Sequence, residues 1–464
     1  LDKLATQGHT FTNAIAPGTW TSESFPSILS ARHSPDIAYQ DSVALKAIPS
    51  QAETIATQMS KQGFKTIATI TNPQLTRERN FDKGFDQFTN LRTSEGSTDK
   101  STSKSDSILP RVKAYFDERW SHNHIVSELS SRESLVTPYS LPVLANEIVR
   151  FRSGSSTIDC TEVLSQFYSE CSEYDDNLFA WTHLMDLHAP LDPSSIADGG
   201  LSDASSLQRL VANMDRVAHN ESKTYGDMYD SVLRYVDSKL EEFVQKLIDS
   251  GDWEDTTLIV TSDHGEAFGE RGAFEHVSHY PYEEQIHVPL LISPARGTES
   301  SVNENVFSLS WLHELVSELV EVEIHDMPSQ SGYPSHLSPG EGNRIAIVDS
   351  LRDWGQLVVA RSQNWKLVRH FHTTDHADVD TQNEIRKHLA AESGDDYRDL
   401  LRNVEAAYNL RQDPSEEQPL DPKVAPESLH EATKEVRTSP ENIPSVEDRL
   451  TDEREDMLSD LGYL

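Results

Sequence analysis

The chain has 464 residues and a formal net charge of −37, with a pI near 4.8. Such a surface repels phosphate backbones and excludes nucleic acid as a partner. Acids are spread along the whole chain rather than gathered in a tail, which reads as the coat of a protein that stays dissolved in molar salt, where screening removes self-repulsion. The expected setting is the cytoplasm of a salt-accumulating archaeon, and no run is apolar enough to span a membrane. The length suits one large α/β unit with a smaller one. Two cysteines, Cys160 and Cys171, imply no disulfide framework and are expected as free thiols.

In chain order, residues 1–8 read as a helix. Residues 51–62 form an amphipathic helix that runs into Gly63 and the short strand FKTIATIT, half of an α/β unit. Residues 94–107 are a polar low-complexity loop. NLFAWTHLMDLHAP, from Asn177, is an apolar strand breaking into polar groups. Residues 224–249 place Met228, Val232, Val236, Leu240, Val244 and Leu247 on one helical face. GDWEDT then turns the chain into a strand read as buried, Thr257–Val260, which ends abruptly in Ser-Asp-His-Gly. Ligand groups gather past the carboxyl ends of strands in open α/β sheets, so Asp263 and His264 are candidate ligands of one metal ion, with Gly265 expected to let the backbone turn sharply. QIHVPLLISP, residues 285–294, is another buried strand. Past residue 295 the texture shifts to loops and hairpin-like strands (RIAIVDS, QLVVARSQNWKLVRHF). The expected organisation is a catalytic α/β unit over 1–295, a small α+β unit over 296–415, and a loosely ordered acidic tail with a terminal helix over 416–464.

Three ordered features carry a resemblance: FTNAIAPGTWTSESFPSILSAR near the start, HLMDLHAP at 183–190, and TSDHGEAFGERGAFEHVSHYPYEEQIHVPLLI. Together they resemble the sulfatase branch of the alkaline-phosphatase superfamily, with GFDQF at 84–88, YNLRQDPSE at 408–416 and LSDLGYL at the end in keeping. The resemblance implies an α/β/α sandwich around a large mixed sheet with a small C-terminal α+β subdomain. It implies metal-dependent hydrolysis of a small-molecule or glycan sulfate or phosphate ester, using one divalent ion (Ca, Mg or Mn). Asp263 and His264 would be ligands of that ion. Registering Leu29-Ser30-Ala31-Arg32 on the family's helix segment places Thr21 at the position of the nucleophile, itself a metal ligand, with Ser22, Ser24 and Ser27 starting a helix whose N–H groups suit an anion. The alternative for Thr21 is a plain helix cap.

The motif departs from the family pattern: Thr-Ser-Glu-Ser-Phe has no cysteine, no proline at the third position and no arginine at the fifth. Oxidation of threonine would give a ketone, not an aldehyde, so a threonine alkoxide resembles the nucleophile of phosphodiesterases, phosphonate hydrolases and phosphoglycerol transferases. His188 resembles the substrate-binding histidine, and His276 the leaving-group residue, with His279 as competitor. His183, Asp186 and Lys366 are left open between structural and functional roles. Asp237, Glu266 and Glu270 read as supporting or capping groups, and Arg32 as a partner for a carboxylate near the nucleophile. Relatives take two further metal carboxylates from an Asp-Asp pair upstream of the opening helix. Residues 1–464 hold no equivalent, so the reading expects an N-terminal fragment, with a catalytically inactive anion- or glycan-binding relative as the rival.

Overall fold

The computed structural model describes residues 1–39, 42–92, 158–175, 177–204, 222–276, 279–297, 300–328, 344–352, 355–372 and 405–437. The expected polar loop at 94–107 and the terminal helix near 446–464 lie outside them. The chain opens with α1 (Asp2–Gln7), β1 (His9–Ile15), α2 (Thr21–Ser30), α3 (Ser34–Ile37), the short pair β2 (Ala38–Tyr39) and β3 (Ser42–Lys46), and α4 (Ile55–Lys61). Helix α4 starts later than the periodicity suggests because Thr54 caps it: its side chain accepts from Thr57 N while Thr57 Oγ1 accepts from Thr54 N. Strands β4 (Lys65–Ile70) and β5 (Gln87–Asn90) follow, then α5 (Cys160–Cys171), β6 (Leu178–His183), α6 (Pro193–Gly199) and the long α7 (Ser222–Ser250). Met228 and Val232 on α7 are fully buried, as its spacing requires. Gly251 closes α7 with φ +89, the left-handed geometry that favours glycine there.

Strand β7 (Leu258–Thr261) lies one residue beyond the expected range and is half-buried rather than buried. Then come β8 (Ala267–Phe268), β9 (Phe274–Glu275), α8 (Glu283–Ile286), β10 (His287–Ser293), β11 (Ser301–Ser308) and α9 (Leu312–Val320). The last stretch holds β12 (Ala346–Arg352), β13 (Gly355–Arg361), β14 (Trp365–His372), β15 (Ala406–Asn409) and α10 (Glu427–Val436).

The central sheet is mixed and hydrogen-bonded in two pieces. One has the order β11-β1-β10-β7, with β1 parallel to β11 and antiparallel to β10. The other, β5-β4-β6, is wholly parallel. One helix layer covers both: Phe25 of α2 meets Trp181 of β6 at 5.1 Å between ring centroids, and Ile55, Met59 and Val316 pack with both Phe179 and Ile259. On the other face α5 and α7 meet through Leu164, Phe167 and Phe243 beside Ala180 of β6. This is the expected α/β/α layering. Among the described residues β6 pairs only with β4 and β7 only with β10, so each has an unpaired edge.

A second sheet, β12-β13-β14-β15, is an antiparallel meander. Both of its faces are covered, which explains the continuous apolar run in β13. Val348, Val359 and Val368 face a cluster shared with Ile15, Tyr282 and Val306, whereas Ala360 and Leu367 face Ala425 and Leu429 under α10. Residues 416–437 are packed into the molecule, with Glu416 and Leu429 buried.

Candidate active site

Helix α2 is buried along its whole length. It is preceded by Gly18, where a Cβ would stand 2.5 Å from that of Glu23. Trp20 is extended and precedes the first turn, so Thr21 sits at the helix N-terminus. The serines behind it are tied to backbone: Ser24 Oγ donates to Gly18 O and Ser27 Oγ to Glu23 O, both at 3.2 Å. Among the described residues Ser22 Oγ is a buried hydroxyl without a hydrogen-bond partner.

The Asp263–Glu266 turn leaves β7 and is locked against the segment before β10. Gly265 N donates to Gln285 O at 2.7 Å and Glu266 N to Glu284 O at 3.0 Å. Gly265 is needed for this approach and not for a left-handed turn: a Cβ there would lie 2.2 Å from Glu284 O. The Gln285 side chain in turn donates to Thr19 O. One residue therefore ties the Asp-His turn to the Thr21 loop and sets their separation.

At that junction the Thr21 hydroxyl lies 3.3 Å from His264 Nε2, and Nε2 is 3.7 Å from Asp263 Oδ2. His264 Nδ1 is 2.8 Å from Gly265 O; donating there, it leaves the lone pair on Nε2. Asp263 Oδ2 is buried and has no hydrogen-bond partner among the described residues. Burial would raise the Asp263 pKa, but the imidazoles of His264 and His183 and the Thr21 hydroxyl hold it below the ordinary carboxylate value. Three donor atoms thus converge, one an orphaned carboxylate oxygen and one an imidazole nitrogen whose other face is already bonded. This set fits a divalent cation.

Three further histidines surround the junction. The His276 ring lies 4.5 Å from that of His264 and 5.0 Å from that of His188. Its Nδ1 is 3.3 Å from Glu266 Oε2, and His188 Nδ1 is 2.6 Å from Ala189 O. His183 stands edge-on to Phe25 at 4.9 Å; burial lowers its pKa while Asp263 raises it. His264, Glu266 and His276 also have donor atoms within 4.8 Å of one another. A separate group of Asp159, Cys160 and Asp186 serves the start of α5, where Asp159 accepts from Thr161 N and Asp186 from Cys160 N. Both cysteines are free.

The structure brings together Thr21, His188, Asp263, His264 and His276 and leaves other candidates apart. His279 is buried against Ser350 Oγ, 3.3 Å from its Nδ1, and stacks with His370. Lys366 is fully buried between Glu283 and Glu416 rather than solvated. Glu270 accepts from Phe268 N, and among the described residues Arg32 pairs with Asp36, at 3.4 Å. Glu266, read from sequence as a supporting group, is the partner of His276; its place three residues after Asp263 was the available signal. Glu23 carries no local sign of its role in the sequence: it accepts from Thr19 N, Thr19 Oγ1 and Ser350 Oγ.

Solved structures share the fold of this chain. The phosphonate monoester hydrolase of Agrobacterium radiobacter superposes with a TM-score of 0.57 at 15% identity, over 94% of this chain and 89% of that one. The related SpPMH from Silicibacter pomeroyi gives 0.52 at 16%, over 86% and 89%. Ps i-CgsB, in complex with k-i-k-neocarrahexaose, gives 0.53 at 14%, over 99% and 91%. At these identities the likeness shows the fold alone. No protein of curated function matches the sequence. No helix among the described residues is long and apolar enough to cross a membrane. The family model described as Sulfatase matches residues 1–321, more than half of the chain, and the chain belongs to the sulfatase family.

Proposed function

We propose that the chain cleaves a sulfate or phosphate ester, with Thr21 as nucleophile and with Asp263, His264 and Thr21 holding a divalent metal ion. The observation that carries this reading is the 3.3 Å contact of Thr21 Oγ1 with His264 Nε2 beside Asp263 Oδ2, a buried oxygen without a hydrogen-bond partner among the described residues. Such an ion would lower the pKa of the threonine hydroxyl and neutralise charge on the ester's non-bridging oxygens. The residues supply the rest. The N-terminus of α2 presents N–H groups toward an anion seated at Thr21. Thr21 Oγ1 forms the new bond to sulfur or phosphorus as the bond to the ester oxygen breaks in line. In the imidazolium form of His276, Glu266 holds the Nδ1–H and the Nε2–H passes its proton to the departing oxygen, while His188 is oriented by Ala189 O. Water then attacks the same sulfur or phosphorus, giving a proton to the now neutral His276, and the bond to Oγ1 breaks to release sulfate or phosphate and restore the threonine hydroxyl.

The threonine favours phosphoryl over sulfuryl transfer, since no residue at that position can yield the aldehyde hydrate of the usual sulfatases. A sulfated or phosphorylated glycan is the first organic portion to examine, because one structural neighbour holds an oligosaccharide. The experiment is a panel of aryl sulfates, phosphates, phosphonates and phosphodiesters, run with divalent ions in molar KCl. Thr21→Ala should abolish turnover, and a chelator should remove it reversibly. Turnover that survives Thr21→Ala removes Thr21 from the mechanism, and sulfate-only turnover overturns the preference for phosphoryl chemistry.

A further inference from the structure

We infer that strand β12, outside the matched family segment, acts as a clamp that positions the nucleophile, with Ser350 and Arg352 as positioning residues. The inference rests on the reading of Thr21 given above. Four contacts from consecutive parts of β12 fall on one stretch, residues 17–34, which carries Thr21. Asp349 N donates to Pro17 O at 3.0 Å. Arg352 lies over the Trp20 ring, its guanidinium carbon 4.0 Å from the centroid. Ser350 Oγ donates to Glu23 Oε1 at 2.7 Å. Beyond the helix, Ser34 N donates to Asp349 Oδ2 at 2.6 Å.

The residue before Thr21, the residue two after it and both flanks of α2 are therefore held by one strand. Ser350 and Arg352, two apart on a strand, share a face, and that face is turned to the helix N-terminus. The clamp is itself braced. Asp349 Oδ1 accepts from Gln356 Nε2 at 2.9 Å, and buried Lys46 donates to Leu351 O at 2.7 Å. On its other edge β12 pairs along its length with β13. Glu23 reaches back to Thr19 with its second oxygen, so the serine hydroxyl fixes a carboxylate that in turn fixes the turn into α2. Bulk packing does not need this chain of polar contacts; a hydroxyl that must sit within ligand distance of His264 does, because misplacement by an ångström costs orders of magnitude in rate.

The test is steady-state kinetics of Ser350→Ala, Ser350→Thr and Arg352→Gln on whichever ester the wild-type chain turns over, with thermal midpoints measured alongside. The cost of leaving the buried Glu23 carboxyl group without this partner sets the expected scale: kcat about 10- to 100-fold lower for Ser350→Ala. KM should stay within about twofold, because an alkoxide held off line reacts poorly without binding substrate worse. Ser350→Thr should recover most of the rate, and Arg352→Gln, which frees Trp20, should repeat the kcat loss. A kcat within about threefold of wild type for both Ser350→Ala and Arg352→Gln overturns the clamp, as does a loss that threonine does not rescue. Failure of the underlying reading looks different: Thr21→Ala then keeps its activity whatever the β12 variants do.

Discussion

Replacing Lys366 by Met tests the junction between the two sheets. The ammonium is fully buried and donates to Pro281 O at 2.8 Å and Glu283 Oε1 at 3.2 Å. It also pairs with Glu416, itself only 3% exposed. Arg361 takes the second oxygen of Glu283 at 3.2 Å. Burial would raise the Glu283 pKa, but Lys366 and Arg361 together hold it at about 2, against an ordinary 4.5. At about 1.4 kcal/mol per pH unit that coupling is worth about 3 kcal/mol, present in full above pH 4.5 and lost as the pH falls through 2. The methionine variant keeps Arg361 for Glu283 but takes from Glu416 its ion-pair partner, leaving Arg271 as a more distant cation. Stranding one member of a buried ionic group costs about 3–5 kcal/mol, and the surviving arginine places the expected loss near the lower end. Urea unfolding at fixed KCl and pH 7.5 measures it. Burial and the neighbouring Glu283 raise the Glu416 pKa, so the deficit should shrink as the pH is lowered and Glu416 takes up a proton. Adding Glu416→Gln to Lys366→Met should recover at least half of it. A loss under about 1 kcal/mol, or a double variant no better than the single one, would refute the argument.

Burial pushes Asp186 up to about 6 from 3.8, against the hydrogen bond from Cys160 N. The folded state therefore holds this proton more tightly, and stability falls as the pH rises from about 4 through 6, by about 3 kcal/mol when complete. Asp186→Asn should flatten that part of the pH–stability curve; curves that stay parallel to wild type argue against it. Gly265→Ala must drive Glu284 O away from a Cβ 2.2 Å distant, so turnover should fall by about 100-fold, and near-normal kinetics would show that the turn yields cheaply. His276→Ala should slow esters of poor leaving groups about 100-fold or more while sparing nitrophenyl esters; an equal loss on both would remove it from the leaving-group side.

Much of the candidate site is legible in the sequence because each part is a local signal. A β-branched run ending in Ser-Asp-His-Gly places Asp263 and His264 just past β7, and the residues around Thr21 start a helix as the family resemblance implies. The periodicity of α7 is equally local. Other features escape it because their partners are remote. Nothing near residue 276 separates His276 from His279; the fold does, by sending His279 to Ser350 and His370 and turning His276 to His264 and His188. Nothing near Lys366 shows that two carboxylates more than forty residues away on either side await it. Gly265 illustrates a third case: the residue type was legible as a turn, but the reason it must be glycine is the backbone of residue 284 pressed against it.

The sequence by itself determined the layered α/β class, the order of the elements and the pool of residues from which a sulfatase-family site is drawn, since these follow from short-range periodicity and motif chemistry. The tertiary structure alone decided which of them meet. It joined residue 21 to 264 through Gln285, set the described strands of the central sheet in a mixed and a parallel piece, and brought β12 across more than three hundred residues to hold the segment carrying Thr21. Contacts of that separation are set by how whole layers pack, and a short stretch of sequence does not encode the surface it will be pressed against.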